Sequence, residues 1–264
     1  MLPNPDIDPV LLRLGPIAIR WYGLMYVFGL TAAFFMIKAR AASRKVALSL
    51  DDLHDLILYA AVGVILGGRL GYILFYNLPY YLESPSKLLA VWEGGMSFHG
   101  GLLGVIVAVG VFCRRKGHAF YTIADLAAPA VPVGLGLGRI GNFINGELYG
   151  RATDVPWCMV FDRTGGGPLC RHPSQLYEAF LEGVLLFALV WALGRHPRAP
   201  GTLFWAFIAG YGACRAFVEL FREPDAHLGL LAGVISMGQA LSLPMLVLGL
   251  FMIWSVQRKQ SLQS

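Results

Sequence analysis

The sequence predicts an all-α membrane protein with about seven transmembrane helices, forming one polytopic domain over residues 1–264. The chain is 56% hydrophobic and 14% charged, and its mean hydropathy is +0.61; soluble domains carry about 25% charged residues. The deficit of charge extends along the whole length, which favours a membrane protein over a soluble domain with a large core. The formal net charge of +5 comes from basic residues clustered between apolar runs, which is typical of topology signals rather than of a nucleic-acid site.

Seven apolar segments each supply about the 20 residues that a helix needs to cross a bilayer. The third segment is short and rich in glycine. The sequence therefore predicts a bundle of seven spans joined by short polar connections. The predicted spans are 17–37, 53–76, 96–113, 119–138, 174–193, 201–222 and 234–254.

Basic clusters in the connections predict the orientation of the chain. Four clusters follow the first, third, fifth and seventh spans, so they share one side of the membrane if the spans alternate. The positive-inside rule makes that side cytoplasmic, which places the N-terminus in the periplasm and the C-terminus in the cytoplasm. The clusters are Lys38, Arg40, Arg44 and Lys45; Arg114, Arg115 and Lys116; Arg195 and Arg198; and Arg258 and Lys259.

The long connection on the predicted outer side, residues 139–173, is expected to form a small periplasmic cap. Three consecutive glycines followed by a proline mark a turn within it, and residues 155–161 could pair as a short strand. Cys158 and Cys170 both lie in this connection. They would form a disulfide only in an oxidising compartment, and the sequence alone leaves their pairing open.

Polar residues inside the predicted spans concentrate toward the outer side of the membrane. An arginine at the bilayer centre costs about 2.5–3.5 kcal/mol on insertion scales, so Arg69, Arg139 and Arg215 need partners or a function. Structural pairing is the simpler explanation for Arg69. The guanidiniums of Arg139 and Arg215 suit a phosphodiester, because each is a planar fork of donors. The other polar residues of this layer are Tyr22, His99, Glu178, Glu182, Glu219, Ser236 and Gln239.

Residues 138–150 read Gly-Arg-Ile-Gly-Asn-Phe-Ile-Asn-Gly-Glu-Leu-Tyr-Gly. This stretch resembles the signature of the bacterial prolipoprotein diacylglyceryl transferases. Six further motifs of that family have counterparts here in the same order, so the resemblance covers essentially the whole chain. These motifs lie at 20–26, 67–72, 97–101, 171–178, 211–225 and 236–239.

The resemblance implies a reaction in the bacterial inner membrane. A diacylglyceryl group leaves phosphatidylglycerol and becomes attached, through a thioether, to the lipobox cysteine in the signal peptide of a preprolipoprotein. Glycerol phosphate is released, and the signal peptide is cut only afterwards. The expected partners are therefore phosphatidylglycerol, the preprolipoprotein and the lipid bilayer, with no nucleic acid, no metal and no organic cofactor.

Residue roles follow from this chemistry. We expect Arg139 and Arg215 to clamp the phosphate, because negative charge builds on it as it leaves. His99 is the natural general base for the substrate thiol, since imidazole titrates near neutral pH, and Glu147 is the alternative. Tyr22 and Asn142 would donate to the headgroup, Glu147 and Glu219 would orient the arginines, and Gly150 would serve the backbone geometry. The expected phosphatidylglycerol site contains Arg139 and Arg215 together with Arg69, Gly150, Glu178, Glu219 and Gln239.

Two other classes of protein compete with the transferase. A transporter or flippase for anionic lipids would also place arginines in a bundle, but it should show internal symmetry and a polar path through both leaflets. Here Asp125 is the main polar residue near the inner side, so the polarity is lopsided. An intramembrane hydrolase would need a Ser/His/Asp or paired-Asp arrangement, and none is strong enough to name.

Overall fold

The computed structural model describes residues 2, 7–15, 17–88, 90, 95–223, 230–231 and 235–261. Two compact units divide the chain, and each is described by itself. One unit contains Met1–Ala33 and Ala127–Ser264, and the other contains Phe34–Leu126. Within the described residues, five helices are long and apolar enough to cross a membrane, or six if one broken pair counts as a single span. This confirms the prediction of a mostly helical, multi-pass membrane protein.

The first long helix begins later, and ends later, than the sequence predicts. A hairpin of β1 (Val10–Leu14) and β2 (Ile17–Arg20) precedes α1 (Trp21–Ser43). The first four residues of the predicted span therefore belong to a strand. The helix also includes Lys38 and Arg40, which we had placed in a connection.

Helix α2 (Leu50–Tyr76) is the next long helix and contains Arg69. Its start follows from Ser49, whose hydroxyl accepts a hydrogen bond from the Asp52 amide at 3.0 Å, a standard helix N-cap. The short α3 (Leu78–Glu83) and one 3-10 turn (Pro85–Lys87) follow it. The second predicted span is thus confirmed, with three more residues at its beginning.

Helix α4 (Phe98–Lys116) packs closely against α2 through glycines. A side chain on Gly67 would collide with the carbonyl of Gly100, and one on Gly71 would lie 2.6 Å from the Gly100 Cα. Small residues let membrane helices approach in this way. The glycine spacing in the two helices thereby fixes their relative register.

A proline divides the fourth predicted span into two helices. Helix α5 (Phe120–Ala127) ends just before Pro129, and α6 (Ala130–Asn145) begins just after it. Proline disfavours helical geometry in the residue before it and provides no amide hydrogen, so a break there is expected. Helix α6 then runs seven residues beyond the predicted end at 138, as far as Asn145, before Gly146 terminates it with a left-handed backbone (φ +69°).

The fifth span changes helical type midway. Helix α7 (Ser174–Glu178) passes into a π-helix (Ala179–Leu185) and then into α8 (Leu186–Leu193). Wide turns of this kind are rare and often occur at functional sites. A Cβ on Gly183 would lie 2.8 Å from the Gly136 Cα, so the π-helix packs against α6 almost backbone to backbone.

The connection between α6 and α7 contains a two-stranded sheet. Strands β3 (Met159–Val160) and β4 (Cys170–Arg171) pair antiparallel, so the strand expected within 155–161 is present but only two residues long. Cys158 and Cys170 form a disulfide, which answers the question that the sequence left open. Gly150 also pairs with Arg222 through an isolated bridge.

Two helices complete the unit that contains Arg139. Helix α9 (Thr202–Val218) is 17 residues long and ends four residues before the predicted boundary at 222, because the chain turns after Val218. The short strands β5 (Leu230–Leu231) and β6 (Ile235–Ser236) pair antiparallel, and α10 (Met237–Ser261) follows. A Cβ on Gly212 would lie 2.7 Å from the Ser242 carbonyl oxygen, which shows how closely α9 and α10 pack.

Candidate active site

Charged side chains from α6, α7, the π-helix, α9 and the residues just after α9 meet inside the unit that contains α6 to α10. All are buried or nearly so, and all belong to segments that the sequence marked as polar within the membrane. We call this group the arginine–glutamate cluster. Its members are Arg139, Arg215, Arg222, Glu178, Glu182 and Glu219.

Glu178 lies at the centre of the arginine–glutamate cluster. Its Oε2 is 2.6 Å from Arg139 Nε and accepts a hydrogen bond of 2.9 Å from Arg215 Nη1. Its Oε1 accepts a 3.4 Å bond from Arg222 Nη1. The two arginines predicted to clamp a phosphate therefore converge on a single carboxylate oxygen. Glu178, which we had placed among the lipid-binding residues, holds the arginines together.

Glu219 forms the second strong contact of the cluster. Its Oε1 accepts a 3.2 Å hydrogen bond from Arg215 Nη2 and lies 3.4 Å from Arg222 Nε. The prediction that Glu219 orients an arginine therefore agrees with its contacts. Gly238, at the start of α10, leaves room for this carboxylate, since a Cβ there would lie 2.6 Å from it.

Glu182 differs from the other two carboxylates. Its side chain is 0% exposed, yet neither oxygen accepts a hydrogen bond from any residue that the structure describes. The nearest cations are Arg139 Nη2 at 3.6 Å and Arg215 Nη1 at 3.8 Å. Glu182 lies in the π-helix, four residues after Glu178, and both glutamates lie beside Arg139 and Arg215.

Tyr22, Asn142 and Glu147 lie together at the end of α6. Glu147 Oε1 accepts hydrogen bonds from Asn142 Nδ2 at 2.9 Å and from Asn145 Nδ2 at 3.0 Å. The Tyr22 ring packs on Gly141, and the charges of Glu147 and Arg139 both act on its hydroxyl. These residues therefore share one region.

The contacts of Glu147 differ from those that we expected. We had assigned it to orient an arginine, but its hydrogen bonds go to two side-chain amides. Glu178 and Glu182 are the carboxylates that contact Arg139. Sequence spacing could not show which glutamates contact Arg139, because Glu178 and Glu182 lie about forty residues after Arg139 in the chain.

The segment after Glu147 is fixed by the first residues of α7. Gln175 Nε2 donates to the Glu147 carbonyl at 2.7 Å, and Ser174 Oγ donates to the Leu148 carbonyl at 3.1 Å. Leu148 has a left-handed backbone (φ +58°), which is uncommon for a residue with a branched side chain. Both donors are fully buried, so they hold Leu148 in this conformation.

Gly150 is needed because no side chain fits at its position, not because its backbone adopts a conformation that other residues avoid. A Cβ there would lie 2.5 Å from the Phe221 carbonyl oxygen and 2.7 Å from the His172 Cβ. Its amide donates to the His172 carbonyl at 2.9 Å. The close approach of two other chain segments therefore requires glycine at this position.

Two predicted site residues belong to the other unit. His99 is the second residue of α4, whose first turn is capped by Ser97; the Ser97 hydroxyl accepts a 3.2 Å bond from the Gly100 amide. The His99 ring is half-buried, with Nε2 inaccessible to solvent. Arg69 lies in α2. The residue before it, Gly68, accepts a backbone hydrogen bond from the Ser97 amide.

Among the described residues, Arg69 donates to three backbone carbonyls. Its Nη2 donates to the Lys87 carbonyl at 2.6 Å, its Nε to the Leu88 carbonyl at 3.0 Å, and its Nη1 to the Gly95 carbonyl at 3.3 Å. The guanidinium also lies over the Tyr81 ring, 5.1 Å from its centre. Arg69 thus anchors the connection that leads into α4, in agreement with the simpler of the two explanations that the sequence offered.

Gln239 begins α10 as part of a capping box. The Ser236 amide donates to Gln239 Oε1 at 3.2 Å, and the Gln239 amide donates to Ser236 Oγ at 3.1 Å. This reciprocal pair is the usual function of a serine followed three residues later by glutamine. We had included Gln239 in the lipid site, although the Ser-x-x-Gln spacing predicts a helix start.

A chain of polar contacts links Trp157, in the connection between α6 and α7, to Tyr177 on α7. Trp157 Nε1 donates to Tyr177 Oη at 2.7 Å, and Tyr177 Oη lies 3.1 Å from His172 Nδ1. Because the tyrosine oxygen accepts from the indole, its own proton can point to a neutral His172 ring. Partial burial lowers the pKa of His172, which favours that neutral form.

Comparison with known proteins agrees with the motifs. The family model described as prolipoprotein diacylglyceryl transferase matches residues 9–255. The chain belongs to this family of transferases. The resemblance stated from the sequence motifs is therefore confirmed, and the match includes every element of the arginine–glutamate cluster.

Relatives of the family extend over nearly the full length of the chain. Each of three such relatives is named phosphatidylglycerol–prolipoprotein diacylglyceryl transferase. The protein of Geobacter sulfurreducens is 62% identical over 97% of this chain and 98% of its own length. That of Bordetella parapertussis is 55% identical (94% and 95%), and that of Vibrio vulnificus is 54% identical (97% and 94%).

Three members of the site region were absent from the predicted set of site residues. Arg222 appeared only in a family motif, Glu182 only as a polar residue of the layer, and Tyr211 only in the sixth-helix motif. Tyr211 is 1% exposed and lies within electrostatic reach of Glu182 and both central arginines. The available signal was the four-residue spacing of Glu178 and Glu182, which places two acids on one helix face.

Proposed function

We propose that this chain transfers the diacylglyceryl group of phosphatidylglycerol to the lipobox cysteine of a preprolipoprotein and releases glycerol phosphate. The observation that supports this most strongly is the convergence of Arg139 and Arg215 on one Glu178 oxygen in a buried setting. A polar site of this kind inside an apolar bundle suits an anionic headgroup whose tails remain in lipid. Membership of the transferase family supports the same reaction.

Arg139 is the residue best placed to contact the phosphate. Its Nε faces Glu178, and its Nη2 is 3.6 Å from Glu182. Among the contacts of the described residues, neither Nη nitrogen of Arg139 makes a hydrogen bond, so these donors are available to a ligand. As the carbon–oxygen bond breaks, charge accumulates on the departing phosphate, and fixed guanidinium donors stabilise that state more than the starting diester.

The proton of the substrate thiol needs an acceptor. A free thiol has a pKa near 8.5, and the thiolate is the nucleophile. We propose His99 or Glu147 for this role. His99 begins a capped helix, and Glu147 is held by two amide donors close to Tyr22. Asn142 and Tyr22 would contribute neutral donors to the headgroup from the same region.

The arrangement in the bacterial inner membrane is also part of the proposal. We propose one polytopic domain of seven spans, with a periplasmic N-terminus, a cytoplasmic C-terminus and a periplasmic cap formed by residues 139–173. The disulfide between Cys158 and Cys170 supports this orientation, because disulfides persist on the oxidising side of the membrane. The basic clusters assign the opposite side to the cytoplasm.

The test is a reconstitution with defined components. The purified protein is incubated with phosphatidylglycerol vesicles and a peptide that contains one lipobox cysteine, and the peptide mass is measured. We expect a gain of one diacylglyceryl group, no gain with a Cys-to-Ser peptide, and no gain with phosphatidylcholine as the only lipid. Lipid movement across the vesicle without a modified peptide would support a transporter instead.

A variant pair connects the reaction to the cluster. Arg139→Gln removes the central guanidinium, and Arg114→Gln removes an exposed one at the end of α4. We expect transfer to fall at least a hundredfold in the first variant and to stay within twofold in the second. Transfer by Arg139→Gln at a rate close to that of Arg114→Gln would contradict the assignment of the site.

A further inference from the structure

Glu182 is a buried carboxylate that lacks the contacts an ionised carboxylate usually has. It is 0% exposed, and among the described parts of the chain no donor makes a hydrogen bond to either of its oxygens. Buried ionised groups are normally paired and hydrogen-bonded, because an unsatisfied charge in an apolar setting is costly. The two nearest cations stand 3.6 and 3.8 Å away, and both are engaged more closely by Glu178.

The other carboxylates of the cluster are held differently. Glu178 has cationic nitrogens at 2.6, 2.9 and 3.4 Å, from three arginines. Glu219 Oε1 has two, at 3.2 and 3.4 Å. Close cationic donors favour the ionised form of a carboxyl group. Of the three acids, Glu182 is therefore the one that can most easily accept a proton.

Entry of an anionic lipid changes the charge balance. The cluster contains three arginines and three glutamates, so it carries no net charge when all six are ionised. A phosphodiester bound to the Nη groups of Arg139 adds one negative charge beside Glu182. Two anions that share one site rarely both remain ionised, since each disfavours the charged form of the other.

We propose that Glu182 takes up one proton when the phosphodiester of an anionic phospholipid binds to Arg139 and Arg215, so that lipid binding is coupled to protonation of this carboxyl. The proposal rests on the proposed function, because it assumes that the lipid enters the arginine–glutamate cluster. The lipid-bound state then holds one more proton than the free state. Affinity for the lipid therefore rises as the pH falls, by up to about tenfold per pH unit.

Other titratable groups around Glu182 are less suited to this role. Arginine side chains stay protonated at all relevant pH values, and tyrosine and cysteine ordinarily titrate near 10 and 8.5, always remaining neutral below those values. None of these three residue types would gain a proton between about pH 5 and 8, and the other acid beside Glu182, Glu178, is kept ionised by the close contacts of three arginines. The charged and titratable groups that face Glu182 are Arg139 on α6, Glu178 on its own span, Tyr211, Cys214 and Arg215 on α9, and Arg222 beyond α9.

Calorimetry can count the proton directly. Short-chain phosphatidylglycerol is titrated into the detergent-solubilised protein at one pH in buffers of different ionisation enthalpy, and the dependence of the heat on the buffer gives the protons taken up. We expect between half a proton and one proton for the native chain. The Glu182→Gln variant should take up none and should bind the lipid with a pH-independent affinity, at least as tightly as the native chain at neutral pH.

Two controls separate this idea from its alternatives. Glu223→Gln removes a half-exposed carboxylate outside the cluster and should keep the uptake of the native chain. Diacylglycerol, which has no phosphate group, should cause no uptake. Even if Glu182→Gln fails to fold, absence of proton uptake by the native chain overturns the proposal, as does native-like uptake by a folded Glu182→Gln variant.

The outcomes also distinguish this proposal from the proposed function. If phosphatidylglycerol binds and the peptide is modified without proton uptake, only the role of Glu182 is wrong. If phosphatidylglycerol neither binds nor modifies the peptide, the proposed function is wrong and the role of Glu182 falls with it. Proton uptake on binding together with peptide modification supports both.

Discussion

Replacing Arg69 by glutamine tests whether this intramembrane arginine is structural or binds lipid. The substitution removes a guanidinium that donates to the carbonyls of Lys87, Leu88 and Gly95, the last at a long 3.3 Å. A hydrogen bond from a charged donor contributes about 1.5–3 kcal/mol. The three contributions are not additive, so we expect a loss of about 2–3 kcal/mol in the free energy of unfolding.

That loss converts into a measurable shift in melting temperature. For chains of about 150–250 residues, 1 kcal/mol corresponds to about 2–4 °C, so Arg69→Gln should lower the melting temperature by about 4–12 °C. The exposed Arg114→Gln variant should melt within about 1 °C of the native chain. The assay is thermal unfolding in detergent, combined with the KM for phosphatidylglycerol measured well below the transition.

The KM decides between the two roles of Arg69. A structural anchor acts through the connection to α4, which carries His99, so its loss should lower kcat more than it raises KM. A direct lipid contact would instead raise KM and leave the unfolding temperature unchanged. A tenfold increase in KM without a change in melting temperature would refute the structural assignment and restore the role that the family resemblance suggested.

Three further changes have expected outcomes of different kinds. Arg139→Lys keeps the charge but cannot face the cluster and the phosphate at once, so kcat/KM measured with the lipobox peptide should fall about 10–150-fold, the equivalent of about 1.5–3 kcal/mol; near-native turnover would disprove the forked contact. Gly150→Ala forces overpacking worth about 1–3 kcal/mol and should lower the melting temperature, whereas Gly138→Ala, with nothing within 4 Å of its Cβ, should not. In the native protein, Cys158 and Cys170 should resist alkylation until a reductant is added; prompt labelling of both would contradict the disulfide.

The sequence was sufficient for the membrane class and for the positions of most helices. Apolar length identifies a span whatever its neighbours are, so α2, α4, α10 and the fifth span lie where predicted, with ends shifted by a few residues. The changes of helical type within spans were not predicted. The π-helix packs closely against α6, Gly183 against Gly136, and packing of this kind is not visible in the hydropathy of one segment.

The sequence identified the arginines of the site more readily than the carboxylates that contact them. Arginine in an apolar run is conspicuous, so Arg139 and Arg215 were identified from the sequence alone. Glu219 was also expected to orient an arginine and contacts Arg215. The carboxylates that contact Arg139 were not identified, because Glu147 lies near Arg139 in sequence whereas Glu178 lies near it in space. Gln239 was assigned to the lipid although a local capping pattern with Ser236 already accounted for it.

Arg69 differs from Arg139 and Arg215 in the groups that it contacts among the described residues. This difference indicates which of these arginines can release a partner and bind an anion in its place. Arg69 donates to backbone carbonyls, which are fixed by the fold. Arg139 and Arg215 contact carboxylates, whose charge can be removed by a proton. A bound phosphate can take the place of an acid that becomes neutral, but it cannot displace a carbonyl without deforming the chain. The two arginines of the cluster are therefore suited to repeated binding and release of an anion, and Arg69 is suited to a permanent contact.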